Sequence, residues 1–204
     1  MTPPAAPPAA QGPSGPSRAS ASSGSSRASA SSGPSGSLAE ALDRLPKVEL
    51  HCHIEGTMRP ATVLELARKN GIALPTTDLD ELYRYDSLDG FLTVFWLVQS
   101  CLSTREDWAR LAYESVTDAA AHGRVYAETF FTPARHLAAG QRLPDIVAGL
   151  VEGIEAAEQE TGARCMLIAD IDRAYGADAG LELVTELTSL RQAGATGSER
   201  VIGL

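Results

Sequence analysis

The sequence predicts an α/β fold with parallel strands, and two observations lead to this class. The first is that strand and helix patterns alternate regularly through the second half of the chain. These patterns cover 124–131, 144–161, 164–171 and 178–193. Such alternation is typical of βαβ units. The second is the nearly continuous apolar run Cys165–Ala169, which is expected of a strand covered on both faces.

The earlier elements follow from local signals. A strand is expected over 47–54, between Pro46 and Gly56. Helices are expected over 60–70, 78–84, 87–101 and 104–122. Proline at a helix start, glycine at its end and Thr104 as an N-cap set these boundaries. The helix at 87–101 is apolar nearly all round from Phe91 to Val98. We expect it to be mainly core, with a lid over a substrate site as the alternative.

The first 37 residues differ in composition from the rest. Ser, Ala, Pro and Gly make up 32 of them, and Leu, Ile, Val, Phe, Asp and Glu are missing. Such a segment buries too little apolar surface to offset its ordering entropy, so we expect residues 1–37 to form a disordered leader. Residues 38–204 are then the folded part. The chain stops at Leu204 inside an apolar strand pattern that starts at Arg200, which we interpret as a truncated chain.

Charge and cysteine content limit the function classes. The net charge is −9, which disfavours nucleic acid and anionic membranes as partners and suits a small-molecule substrate. No apolar run is long enough for a membrane span. Cys52, Cys101 and Cys165 are an odd, widely spaced set, as expected in a reducing compartment, and we expect a cytoplasmic location. The oligomeric state stays open.

His51 and His53 form the most informative local pattern. They flank Cys52 near the end of the first predicted strand. Side chains at i and i+2 project from one strand face, with Cα atoms about 6.5–7 Å apart, so two imidazoles can converge on one metal ion. Glu55 is next on that face if the strand continues, whereas Leu50, Cys52 and Ile54 face the covering helices. The alternative is a pair of hydrogen-bonded polar histidines at a strand end.

The residues from Leu45 to Thr57, followed by Pro60 and by Asn70–Pro75, closely resemble the N-terminal part of the adenosine deaminase family. The resemblance continues through Val125–Glu128 with Thr132-Pro133 and reaches Val201–Leu204. That family uses a zinc-dependent (β/α)8 TIM barrel of the metal-dependent hydrolase type. The resemblance implies that this chain holds the first three βα units and the start of strand 4.

The resemblance implies hydrolytic deamination of adenosine, with Zn2+ as the cofactor. By it, His51 and His53 are metal ligands, His53 also borders the substrate, and Glu55 contacts the substrate. The family's glutamate proton shuttle and other ligands are expected beyond Leu204. No catalytic residue is therefore expected within the chain, and the fragment is expected to be inactive.

The chain departs from the animal-type pattern of that family. Phe130 stands where an arginine is usual, Ile171-Asp172-Arg173 replaces Met-Arg-His, and Glu55 replaces an aspartate. A 6-aminopurine substrate is therefore better supported than adenosine itself, and adenine and 6-aminodeoxyfutalosine are alternatives. The sequence is also compatible with a different amidohydrolase activity and with a non-catalytic half-barrel protein.

Four further polar residues receive structural interpretations. His122 precedes Gly123 at a predicted helix end, where capping is expected. His136 lies in a predicted loop and is assigned no role. Glu128 and Asp170 lie at strand ends and are expected to be structural polar groups.

Overall fold

The computed structural model describes residues 37–204. The predicted leader, apart from Ser37, lies outside the described residues. The helices are α1 (Leu38–Arg44), α2 (Pro60–Asn70), α3 (Leu79–Leu82), α4 (Leu88–Ser100), α5 (Arg105–Ala121), α6 (Ala134–Ala138), α7 (Leu143–Thr161) and α8 (Gly176–Gln192). The strands are β1 (Lys47–His53), β2 (Arg124–Phe131), β3 (Arg164–Ala169) and β4 (Val201–Gly203). Short 3₁₀ turns cover Ile54–Thr57, Arg173–Tyr175 and Ser198–Arg200.

The four strands form one parallel sheet in the order β1-β2-β3-β4. Strands that are adjacent in sequence are therefore adjacent in space, which is the order found in a (β/α) barrel. The predicted α/β class and the parallel pairing are confirmed. Helices α1 and α6 were not predicted.

Helices cover one face of the sheet in the described residues. In β3 the side chains of Cys165, Leu167 and Ala169 are buried, whereas Met166 and Ile168 are only partly buried. The expectation that this strand is covered on both faces is therefore wrong for residues 37–204. The buried residues alternate with the half-exposed ones, because successive side chains of a strand point to opposite faces.

Between Glu49 and Cys52, strand β1 contains one extra residue relative to β2, whereas between Lys47 and Val48 the register shifts the other way. Glu49 pairs with Ala127 and Cys52 pairs with Thr129, so three residue steps in β1 match two in β2. This is the geometry of a β-bulge. Leu50 was predicted to face the helices together with Cys52 and Ile54. That prediction is wrong for Leu50, which is 57% exposed, because the extra residue interrupts the alternation.

Helices α5 and α7 pack closely enough that two glycines are required at their contact. A Cβ atom at Gly149 would overlap the carbonyl oxygen of Arg105, and one at Gly153 would overlap that of Ala109. The contact also buries Trp108. The two helices cover β2 and β3, so this contact helps to fix where those strands end.

The start of β1 is held by one ammonium group. Lys47 Nζ lies within hydrogen-bond distance of four carbonyl oxygens, which its three N–H groups share: those of Leu42 (2.5 Å), Asp43 (3.1 Å), Leu45 (3.1 Å) and His122 (2.6 Å). It therefore joins the C-terminal ends of α1 and α5, where unpaired carbonyl groups attract a cation. His122 is the C-cap of α5, in the position that the sequence predicted.

The helices found between Ser37 and Leu204 are either too short or too polar to cross a membrane.

Candidate active site

His51 and His53 lie at the carboxyl end of β1, and their ring centroids are 5.7 Å apart. Phe130 of β2 pairs with His53 in the sheet register. Its ring centroid lies 4.7 Å from that of His51 and 5.5 Å from that of His53. Phe95 of α4 approaches His53 edge-on at 6.5 Å. Aromatic packing from two neighbouring elements therefore holds the two imidazoles beside each other.

The two imidazoles fit one part of a metal site, because the chain supplies two of the ligands that such a site needs. His53 Nδ1 is buried and has no hydrogen-bond partner among residues 37–204. In the tautomer with the proton on Nε2, Nδ1 has a free lone pair that can bind an ion. A catalytic zinc site uses about three protein ligands and one open position. In the same part of the chain, no group of three or more His, Cys, Asp or Glu side chains is arranged to hold a metal. His51 and His53 would thus supply two ligands.

Glu55 lies off the sheet, in the 3₁₀ turn that follows β1, because the extended conformation ends at His53. Its side chain is fully buried, and Oε1 accepts a 2.7 Å hydrogen bond from the backbone N–H of Thr132. Burial raises the pKa of this carboxyl to about 7, with Asp170 adding to the shift and the Thr132 bond opposing it. Oε2 has no partner in the described residues.

A cavity of about 730 Å³ opens beside His53. Helix α4 lines one side with Phe91, Leu92, Phe95 and Trp96. The other sides come from the ends of β1, β2 and β3, including Thr132, Arg135 and Asp170. Its size suits a small organic ligand. Glu55 is not among the lining residues, although its neighbour Gly56 is.

The position of α4 explains its unusual composition. Val98 and Gln99 are buried, as expected of a core helix, whereas Trp96 is 42% exposed. Its apolar residues therefore serve two surfaces, the core and the cavity wall. The sequence does not decide whether this helix belongs to the core or forms a lid, because periodicity alone cannot separate a helix buried in protein from one that faces a cavity.

The remaining polar residues lie around this region. Asp170 Oδ2 accepts a 3.3 Å hydrogen bond from Thr132 Oγ1, and Asp170 lines the cavity. Glu128 accepts a 3.0 Å hydrogen bond from the Tyr126 hydroxyl on the half-exposed sheet face. Thr132 thus contacts two acids at once, Glu55 through its N–H and Asp170 through its hydroxyl group. No sequence signal marked Thr132 as a link between them.

A second cavity of about 960 Å³ lies on the other side of Trp96, Gln99 and Arg135, which line both cavities. His136 borders it and is 3% exposed. The ring of His136 packs edge-on against Trp108 at 4.6 Å. Burial, and then the charge of Arg135, lowers the pKa of His136 to about 4. His136 is therefore a neutral packing residue at physiological pH.

Comparison with known proteins agrees with this geometry. The family model described as adenosine deaminase matches residues 46–199. An aminodeoxyfutalosine deaminase from Acidothermus cellulolyticus is 37% identical over 167 residues, which cover 80% of this chain and 45% of that protein. An adenine deaminase from Streptomyces coelicolor is 40% identical over 132 residues, or 63% and 39% of the two chains. An adenosine deaminase from Clostridium botulinum is 34% identical over 145 residues, or 65% and 43%.

A solved structure shows the same fold. An amidohydrolase from Burkholderia ambifaria with bound Zn superimposes with a TM-score of 0.71 and 30% identity, covering 84% of this chain and 47% of that one. The four-stranded parallel sheet is therefore part of a (β/α)8 barrel. The chain spans less than half the length of each of these proteins. Because the family model matches most of the chain, the chain belongs to the adenosine deaminase family.

Proposed function

We propose that this chain is the N-terminal part of a zinc-dependent hydrolase that removes the 6-amino group of a 6-aminopurine. Adenosine is the first substrate proposed. The observation that carries the proposal is the pair His51 and His53, whose rings are 5.7 Å apart at a strand end, with His53 lining a cavity of about 730 Å³. Sites of (β/α) barrels lie at the carboxyl ends of strands. The reaction yields the 6-oxopurine and ammonia.

His51 and His53 are proposed as two of the zinc ligands. Bound there, zinc would supply Lewis-acid activation of the attacking water. The free nitrogen of His53 and the packing of both rings against Phe130 support this assignment.

Three features of the chain are proposed to bind and orient the substrate. The rings of Phe91 and Phe95 stack with centroids 5.8 Å apart, and they offer an apolar wall for a planar purine. His53 borders the substrate. Glu55 is proposed to contact the substrate through its unpartnered Oε2, while Oε1 stays bound to Thr132. Because Glu55 is fully buried and does not line the cavity, this contact requires the turn Ile54–Thr57 to rearrange when the substrate binds.

No residue of this chain is proposed to transfer the proton to the ring nitrogen. The family's glutamate has no counterpart among residues 1–204, and the related proteins are more than twice as long as the aligned part. The 204-residue chain alone is therefore proposed to be inactive. A cytoplasmic location is also proposed, because all three cysteines are free thiols and free thiols persist in reducing compartments.

The substrate within the 6-aminopurine class is a choice between three compounds. Relatives of similar identity are named as deaminases of adenosine, adenine and aminodeoxyfutalosine. Adenosine is the first proposal, with adenine and 6-aminodeoxyfutalosine as alternatives.

The test is a deamination assay with all three compounds on the complete zinc-loaded protein and on the 204-residue chain, following the purine absorbance change and ammonia release. We expect turnover by the complete protein and none by the chain. Native-like turnover by the 204-residue chain alone would overturn the proposal that this chain is inactive. A complete protein that binds zinc but deaminates none of the three compounds would overturn the proposed deaminase function. It would favour a non-catalytic half-barrel protein or another amidohydrolase activity.

A further inference from the structure

The second cavity, of about 960 Å³, has two buried side chains in its wall that each carry an unpaired polar atom. Oε1 of Gln99 and Nε2 of His136 form no hydrogen bond with any of residues 37–204. The two residues are 2% and 3% exposed, and both line this cavity. Three other such atoms occur in the described part of the chain. Two belong to His53 and Glu55 of the site described above, and the third is the hydroxyl of Tyr83, which lines neither cavity.

The hydrogen bonds around His136 place the proton of its ring on the unpaired nitrogen. The indole N–H of Trp108 donates to Oε1 of Gln141 at 3.0 Å, which fixes the orientation of that amide. The amide nitrogen of Gln141 donates to the Leu102 carbonyl oxygen at 2.6 Å and lies 3.3 Å from Nδ1 of His136. Nδ1 is therefore an acceptor. Because burial keeps the ring neutral at physiological pH, its one proton is on Nε2.

His136 thus offers an unused N–H donor, and Gln99 offers an unused carbonyl acceptor. Buried polar groups are normally paired in folded proteins, and leaving one unpaired costs stability. The wall around these two groups is rich in apolar and aromatic side chains, including Ile72, Trp96 and Trp108. A large, mainly apolar cavity with a few polar groups is the usual form of a small-molecule site.

The arginines in this wall already have other contacts. Arg105 and Arg142 form ion pairs with carboxylates, at 3.0 Å and 3.8 Å, and the guanidinium of Arg135 stacks on Trp96 at 4.8 Å. The groups that lack partners are therefore the neutral ones. A ligand that satisfies them needs an acceptor for the His136 N–H and a donor for the Gln99 carbonyl.

We propose that this cavity binds a planar aromatic molecule that carries a neutral amide group, or the equivalent edge of a nucleobase. The N–H of His136 donates to the carbonyl oxygen of the ligand, and Oε1 of Gln99 accepts from its N–H. Because both atoms are shielded from solvent in this structure, side-chain rotations must expose them to the ligand. The site goes beyond the proposed function, since neither residue acts at the histidine pair. The competing explanation is that ordered water pairs both atoms.

The experiment compares three ring compounds of similar size on the 204-residue chain. Benzamide carries a carbonyl oxygen and an N–H group, acetophenone carries only the carbonyl oxygen, and toluene carries neither. Both tryptophans of the chain, Trp96 and Trp108, line this cavity, so their indole N–H signals in a ¹⁵N NMR titration report binding. We expect the affinity to fall about threefold or more at each step from benzamide to acetophenone to toluene, because each step removes one hydrogen bond.

Variants assign each step to one residue. Gln99→Met should abolish the difference between benzamide and acetophenone, because the N–H of the ligand loses its acceptor. His136→Phe should abolish the difference between acetophenone and toluene, because the ring donor is lost. The matched controls are Gln192→Met and His122→Phe, at exposed positions of α8 and at the end of α5, and both differences should remain in them. Circular dichroism checks the fold of each variant.

Three outcomes would overturn this inference. Equal affinity for the three compounds, or no binding of any of them by the folded chain, would favour ordered water in the cavity. Differences that persist in folded Gln99→Met and His136→Phe variants would place the binding elsewhere. Tighter binding of benzoate than of benzamide would show that the arginines of the wall recognise an anion instead. None of these results bears on the proposed function, because the histidine pair lies outside this cavity wall.

Discussion

The backbone N–H of Thr132 donates a 2.7 Å hydrogen bond to Oε1 of Glu55, and this bond joins the turn after β1 to the loop after β2. Both groups are buried. The bond holds together the two segments that follow His53 and Phe130, so it supports the histidine pair indirectly.

Replacement of Glu55 tests this link. Glu55→Ala should lower the free energy of unfolding by about 1–3 kcal/mol, because it leaves a buried N–H unpaired. Glu55→Gln is the matched control, since its amide oxygen can accept the same bond. Denaturant unfolding at fixed pH measures both. Equal stability of the two variants would contradict the role of the Thr132 bond. In the complete protein, Glu55→Gln should also weaken discrimination between substrates.

Zinc binding should depend on both histidines of the pair. His51→Ala and His53→Ala are each expected to lose zinc and activity together, because each removes one of few ligands. The measurement is metal content by elemental analysis after dialysis, alongside activity of the complete protein. His122→Ala is the control, as that imidazole is exposed at the C-cap of α5. Stoichiometric zinc in both pair variants would reject the assignment.

Gly153→Ala should destabilise the chain although alanine is the better helix former. Intrinsic propensity favours alanine by about 1 kcal/mol. Here, however, the new methyl group would overlap the Ala109 carbonyl oxygen, and such overpacking costs about 1–3 kcal/mol. Ala156→Gly at an exposed position of the same helix measures propensity alone. A Gly153→Ala variant as stable as wild type would mean that α5 and α7 separate easily.

The buried His136 should make stability depend on pH. Its folded pKa of about 4 lies below the ordinary value of 6.5, so the unfolded chain binds the proton more tightly. The stabilising contribution is therefore full above about pH 6.5 and lost as the pH falls towards 4, by up to about 3 kcal/mol.

His136→Phe keeps a ring against Trp108 and removes the titration. Glu55, with a raised pKa of about 7, contributes with the opposite sign, since its stability is lost as the pH rises through about 7. The informative quantity is therefore the difference between wild type and variant, measured by denaturation from pH 7 to pH 4. A difference that does not change with pH would contradict the prediction.

Local patterns predicted most of the fold and one part of the site. The limits of α2 and β2 agree with the structure, because Pro60 and Gly71 mark the helix and the strand pattern over 124–131 matches β2. The spacing of His51 and His53 was enough to place both at a strand end. Neither signal needs information from distant parts of the chain.

The missed features depend on contacts between distant segments. The bulge in β1 is defined only against β2, so nothing in the sequence around Leu50 marks it. Arg135 belongs to no motif, and its place in the cavity wall depends on α4 packing against the loop after β2. Glu55 was expected beside the histidines, but the chain turns at Ile54, whose side chain is fully buried.

The bulge in β1 also keeps the carboxylate of Glu49 away from the two histidines. In a regular strand, Glu49 would share a face with His51 and His53, and its carboxylate would add negative charge near the imidazoles. Instead, Glu49 accepts a 2.7 Å hydrogen bond from the buried Arg124, which also donates to the Ser115 carbonyl of α5. The extra residue therefore directs Glu49 towards Arg124 and away from the histidine pair, which packs against Phe130 and Phe95. One extra residue thus separates, within a single short strand, a structural ion pair from the two histidines at its end.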